Sequence, residues 1–136
     1  DVEWATHSCI FGWPVMGIWA DGLDGTDING IARSNRLYRA PKDSVAWRRY
    51  LATADDFGTV RLFHYPTVKK RPHCEKARGH SSHVTNVTWT HDDMYVLSTG
   101  GGENSIFQWK LVTSDSPVVS TSSNHARTAA ASARGR

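Results

Sequence analysis

Three short runs of this chain end on a large aromatic side chain at nearly equal spacing: Gly17-Ile18-Trp19, Arg61-Leu62-Phe63 and Phe107-Gln108-Trp109. The intervals are 63 − 19 = 44 and 109 − 63 = 46 residues. Units of this length, each holding several short strand-like runs, fit the roughly 40 to 45 residues of one four-stranded β-propeller blade. Each aromatic is then expected to close the third strand of its blade, and the three to occupy equivalent places. The fold class predicted is all-β: a partial propeller with the end of one blade, two fuller blades and a disordered C-terminal tail. A propeller ring typically closes with about 4 to 8 blades. A slice this small leaves sheet faces and edges bare, and it begins at Asp1 in mid-pattern without an initiator Met. The rest of the ring is therefore expected from a longer chain or from neighbouring protein.

Taken in order, residues 1–20 alternate apolar positions with Gly12, Pro14 and Gly17, which cut them into pieces too short for α-helices. They read as the last strands of a preceding blade. Asp21, Asp24 and Asp27 follow in a polar loop, but a calcium-binding EF-hand loop needs acidic ligands at alternate positions and Glu at its twelfth, where Ala32 stands. The loop reads as a solvated turn. A degenerate blade is expected over residues 21–66. Its inner strand is Ile28-Asn29-Gly30-Ile31-Ala32, and Tyr50–Ala54 and Val60–Phe63 are strands joined by an Asp- and Gly-containing hairpin turn. The polar segment between the first two, longest at residues 37–49, exceeds a usual connection and reads as a rim insertion. The final blade, over residues 67–112, opens with a basic crossover and places Val84, Val87 and Trp89 on the inner strand, Tyr95–Thr99 on the second and Ser105–Trp109 on the third. Residues 113–136 carry almost no large apolar side chain, so burial cannot offset their ordering entropy, and disorder is expected there.

Charge narrows the function classes. The formal net charge is +3, of which the tail supplies +2 through Arg127, Arg134 and Arg136 against Asp115. A body near neutrality gives little support to nucleic-acid binding. No apolar run approaches the roughly 18 residues of a membrane span, so no membrane partner is expected. Cys9 and Cys74 read as free thiols of a reducing compartment. Lys69, Lys70, Arg71, Lys76 and Arg78 concentrate positive charge on the crossover, which suits an acidic protein partner. A solvated loop kept from strand pairing by lysines and prolines is the plainer reading.

Catalytic and metal chemistry find no complete motif. His73, Cys74, His80 and His83 fall within eleven residues without a Cys-x-x-Cys pair. There is no Gly-x-Ser-x-Gly elbow, and Gly100-Gly101-Gly102 lacks phosphate-loop spacing. No enzyme activity, cofactor or metal is expected. A zinc enzyme built on His73, Cys74 and His83 stands as the remote alternative.

The final blade is similar to a WD repeat. In such repeats a His, an Asp, a Ser or Thr and a Trp form a hydrogen-bonded network. Here His80 and Trp109 match, Ser98 or Thr99 takes the hydroxyl position, and Glu103 stands where Asp is usual. One extra methylene means that the bond to His80 is expected to be rearranged or lost.

A narrower resemblance rests on several strings together: Asp1-Val2-Glu3-Trp4-Ala5-Thr6, the Gly17-Ile18-Trp19 ending, Asp24-Gly25-Thr26-Asp27-Ile28-Asn29, Ala54-Asp55-Asp56-Phe57-Gly58, Val60–Pro66, His80–Val87, and Ser98-Thr99-Gly100-Gly101 with Ser105-Ile106 and Gln108-Trp109-Lys110. Over residues 1 to about 112 the chain resembles the carboxy-terminal propeller of the echinoderm microtubule-associated protein-like family. The resemblance implies the end of the second of two fused propellers, a non-catalytic module that binds tubulin, and a place on cytoplasmic microtubules. A general WD-repeat scaffold for another protein or peptide is the alternative function.

Overall fold

The computed structural model describes residues 12–19, 27–39 and 47–113. Among the described residues eight strands follow one 3-10 helix, Trp13–Trp19. The first sheet contains β1 (Ile28–Arg33), β2 (Tyr38–Arg39), β3 (Trp47–Asp55), β4 (Thr59–Tyr65) and β5 (Cys74–Arg78). Its order is β1-β3-β4-β5, with β2 paired to β3. The second contains β6 (Val84–Trp89), β7 (Tyr95–Gly100) and β8 (Ile106–Lys110) in that order. All pairings are antiparallel, which bears out the all-β class. β5 is drawn from the basic crossover and forms the outer strand of the first sheet.

The repeat is visible in the registers. Both inner strands begin with a β-bulge, between Ile28 and Gly30 and between Val84 and Asn86. Arg33 pairs with Leu51 and Trp89 with Val96, so the same rung is reached after 51 − 33 = 18 residues in one unit and 96 − 89 = 7 in the other. The eleven extra residues lie in the stretch between Arg33 and Leu51 that holds the segment 37–49 expected as an insertion. It is not wholly loop: Tyr38 and Arg39 pair with Arg48 and Trp47, extending β3.

Alternation puts Ala52, Ala54 and Val60 on one face of the first sheet, against Val84, Val87, Val96 and Trp109 of the second. The other face carries Leu51 and Phe63, covered by Val15 and Ile18 of the 3-10 helix. Burying a side chain of the size of Val or Leu contributes about 1.5–3 kcal/mol, so these two layers supply the main cohesion. The inner strands approach closely: a Cβ on Gly30 would lie 3.1 Å from Asn86 Cα and Val87 N. Trp89 Nε1 donates to Ala32 O at 3.1 Å, and Asn29 Nδ2 to Val84 O at 3.0 Å, which fixes the sheets laterally.

Two expectations need correction. Gly17-Ile18-Trp19 does not close a strand; it ends the 3-10 helix. Three residues per turn put Val15 and Ile18 on one side, facing Leu51 and Phe63. The backbone finds its partners in the β4–β5 connection, with Thr67 N donating to Pro14 O and Gly17 N to Thr67 O. Trp19 is 47% exposed, whereas Phe63 and Trp109 are each 5% exposed. Only Phe63 and Trp109 are equivalent, each on the third strand of its sheet opposite Leu51 and Val96. The other expected strands of residues 1–20, the Asp21–Asp27 turn except Asp27, Cys9 and the tail from residue 114 lie outside the described residues.

Candidate binding surface

One end of the two sheets is held by a buried polar chain. Trp109 Nε1 donates to Ser98 Oγ at 2.7 Å, and Ser98 Oγ meets His80 Nε2 at 2.7 Å. On the other side of the ring, His80 Nδ1 meets Glu103 Oε1. The partners fix the direction of donation. The indole can only donate, so the Ser98 hydroxyl is free to donate to Nε2, and Nδ1–H donates to the carboxylate. Phe107 packs edge-on against the imidazole with ring centroids 4.5 Å apart.

The longer carboxylate therefore keeps the bond that the sequence expected it to rearrange or lose. The Gly100-to-Ser105 turn sets Glu103 far enough back for the extra methylene to be taken up, and Ser105 Oγ (2.9 Å) and Ser81 Oγ (3.2 Å) also donate to it. Burial opposes its ionisation, but the bonds from His80, Ser105 and Ser81 outweigh burial and hold the Glu103 carboxyl down at about 2. Of the two hydroxyl candidates, Ser98 is the member. Thr99 faces the other way and pairs with Thr85 Oγ1 at 2.9 Å.

In the first sheet the hairpin turn is built on Asp55. Its Oδ1 accepts from Phe57 N and Thr59 N, and its Oδ2 from Arg61 in a buried ion pair at 3.0 Å. Gly58 has φ +73, where a side chain would be strained. Asp56 accepts from Asn29 and faces His83 at 2.9 Å, so it joins the two sheets on this end. Those two bonds, Asn29 first, hold the Asp56 carboxyl below its ordinary range.

The opposite end carries the longer connections. The insertion latches onto the β6–β7 turn: Tyr38 Oη donates to Asp93 O at 2.8 Å, and Arg36 N to Asp93 Oδ2. Burial, then the Asp93 carboxylate, pushes the Tyr38 phenol up to about 12. Sequence reasoning missed this latch, because an aspartate in a turn gives no signal of a partner 55 residues away.

The five basic residues read as one cluster are divided by the fold. Lys69, Lys70 and Arg71 lie in the β4–β5 connection and are exposed. β5 then runs away from them, and Arg78 pairs with Thr59 at the end that holds Asp55. Lys76 and Arg78 are exposed but belong to the strand and its far end. The cations at the same end of the sheet as Lys69–Arg71 are Arg33, Arg36, Arg48 and Arg49, which come from the end of β1, the insertion and the start of β3.

The histidines proposed for metal chemistry have other partners or are apart from one another. His73 faces Glu75 at 4.0 Å, His80 is in the polar chain, and His83 faces Asp56. Cys74 is a free thiol at the edge of the Leu51–Phe63 layer. Among the described residues no three His, Cys, Asp or Glu side chains converge as a metal site. No helix among them is long and apolar enough to cross a membrane.

The family described as echinoderm microtubule-associated protein second beta-propeller matches residues 1–111. The chain is 47% identical over 112 residues to echinoderm microtubule-associated protein-like 4 of Mus musculus, an alignment covering 82% of this chain and 10% of that protein. It is 47% identical over 112 residues to echinoderm microtubule-associated protein-like 2 of Homo sapiens, covering 82% of this chain and 16% of that protein. Against echinoderm microtubule-associated protein-like 3 of Mus musculus the identity is 46%, with 82% and 11% covered. The chain thus spans about a tenth to a sixth of the length of these relatives.

Proposed function

Since this chain belongs to the echinoderm microtubule-associated protein-like family, through its second β-propeller, we propose that it is the terminal part of a non-catalytic binding module that engages tubulin on cytoplasmic microtubules. The observation that carries this reading is the ordered match of residues 1–111 to that propeller, together with relatives whose names are those of microtubule-associated proteins. The chemistry of the surface supports binding over catalysis. The most connected polar group, His80, is enclosed between Ser98, Glu103 and Phe107 and has no open position for a substrate. Of the crossover cations Lys69, Lys70, Arg71, Lys76 and Arg78, the first three are the proposed contacts for an acidic partner, since β5 carries Lys76 and Arg78 toward the other end of the sheet.

Co-sedimentation of the intact parent protein with microtubules tests the reading. Substituting Lys69, Lys70 and Arg71 by Glu is expected to reduce the bound fraction, more at low salt than at high salt, because exposed charges are screened over about 10 Å at 0.1 M ionic strength. A parent protein that does not co-sediment in its unsubstituted form would overturn it.

A further inference from the structure

The charges of this molecule are sorted by end. Asp27, Asp55, Asp56 and Glu103 lie where the hairpin turns and the entries to the inner strands meet. At the other end stand Arg33, Arg36, Arg48, Arg49 and the Lys69–Arg71 loop, with Asp92, Asp93 and, near the start of β5, Glu75. Asp92 accepts from Thr90 Oγ1 and Met94 N, Asp93 Oδ2 from the backbone of Arg36, and Glu75 faces His73 at 4.0 Å, while the buried Asp93 Oδ1 has no hydrogen-bond partner. Among the described residues, no carboxylate forms an ion pair with Arg33, Arg36, Arg48 or Arg49.

We propose that this end of the sheets is a receptor for an extended, carboxylate-rich segment of a partner protein, held by Arg33, Arg36, Arg48 and Arg49 together with the Lys69–Arg71 loop. This rests on the reading above that the chain is a binding module, and it assigns the surface and the chemistry of what binds there. Among the described residues these arginines have no ion-paired carboxylate, although the Asp93 charge reaches Arg33. Arg33 lies 5.3 Å from the Tyr65 ring centroid, and its buried Nε has no hydrogen-bond partner. Burial and the neighbouring Arg49 make its proton easier to lose than usual. His64, on the same end, is likewise depressed by burial, Arg48 and His73. An anionic partner would relieve each of these.

Geometry selects an extended chain over a small anion. The cations run from β1 across β3 to the connection beyond β4, and three inter-strand steps of about 4.8 Å span roughly 14 Å. That length matches four or five residues of an extended peptide and exceeds the reach of one phosphate. Arg48 and Arg49 are adjacent on β3 and point to opposite faces of the sheet. A further sheet packed on one face could meet only one of them, whereas a segment crossing the strand ends meets both.

The test measures binding of a fluorescent glutamate decapeptide to the intact parent protein by anisotropy, with a glutamine decapeptide and inorganic phosphate as controls. Arg48→Glu/Arg49→Glu is expected to weaken the glutamate peptide about tenfold or more, the order expected for reversing two charges of a complementary surface. Lys76→Glu/Arg78→Glu, at the other end of β5, is expected to change it less than about twofold. Arg36→Glu, on an exposed side chain, repeats the test should the β3 variant fold poorly. Equal binding by Arg36→Glu and the unsubstituted protein, equal losses in the β5 variant, or full competition by phosphate would each overturn the proposal. Microtubule co-sedimentation of the same variants separates the two readings. Retained sedimentation without peptide binding removes this surface alone, and peptide binding without any sedimentation removes tubulin as the partner.

Discussion

Replacing Ser98 by Ala removes the one atom shared by two buried donors and acceptors. Trp109 Nε1–H and His80 Nε2 both lose their partner, since each is 2.7 Å from Ser98 Oγ and neither has another described contact at that atom. Ser98 is 1% exposed, so water does not replace it freely. Each buried group left unsatisfied costs about 1–3 kcal/mol, and Ser98→Ala, which orphans two, is therefore expected to destabilise the second sheet by about 2–6 kcal/mol. Trp109→Phe costs a cavity plus one hydrogen bond of about 1 kcal/mol, because Ser98 still reaches His80. In the double variant the indole is no longer there to be orphaned, so the cavity cancels across the cycle. The expected coupling is about 1–3 kcal/mol in the sense that the double variant is less damaged than the sum. Hydrogen exchange of peptides covering residues 95–110 in the intact parent reads this as local opening free energy. Strict additivity, or a Ser98→Ala cost below 1 kcal/mol, would show that the polar chain is ornamental to the blade.

Gly30→Ala forces a Cβ to 3.1 Å from the backbone of Asn86 and Val87, which cannot swing aside as a side-chain tip would. A loss of about 1–3 kcal/mol is expected, seen as faster exchange in both inner strands; protection unchanged in β6 would mean that the sheets are not in register there. Glu103 has its carboxyl held at about 2 against 4.5 for a free glutamate, so its contribution is complete above about pH 4.5 and is lost as pH falls through about 2. Glu103→Gln is expected to flatten the acid side of the stability profile across that window, and identical slopes in both proteins would contradict the bond to His80. His64 is expected to titrate below 6.5 in an NMR ring-proton titration, and Arg48→Gln to raise its midpoint. Because the folded state resists that proton, His64 weakens the fold as pH drops below 6.5; a midpoint unmoved by Arg48→Gln would place the charge elsewhere.

Much of the architecture is legible in the chain alone, and for local reasons. Val87 and Trp89, or Ala52 and Ala54, alternate at the period of a strand that buries one face, and Asp55 with Gly58 supplies the donors' acceptor and the positive φ that a tight turn demands. Such constraints act over a few residues, so the sequence by itself determines strands, turns and the recurrence of Phe63 and Trp109. It misleads at Trp19, where an aromatic after a short apolar run looks like the others, because only the docking of Val15 and Ile18 on Leu51 and Phe63 makes that run a 3-10 helix.

What the tertiary structure alone decided are the pairings that join distant parts of the chain. The choice of Ser98 over Thr99 follows from which face of β7 meets Trp109, and the bond from Glu103 to His80 from how far the turn retreats. The latch of Tyr38 on Asp93 and the sorting of cations to one end depend on where strands begin and stop in space. Five basic residues close in sequence are pulled apart by one strand, while arginines up to 38 positions away are carried to the same end of the sheet as Lys69–Arg71. Strand direction, a property of the whole sheet, decides which charges share a surface, and no window of sequence contains it.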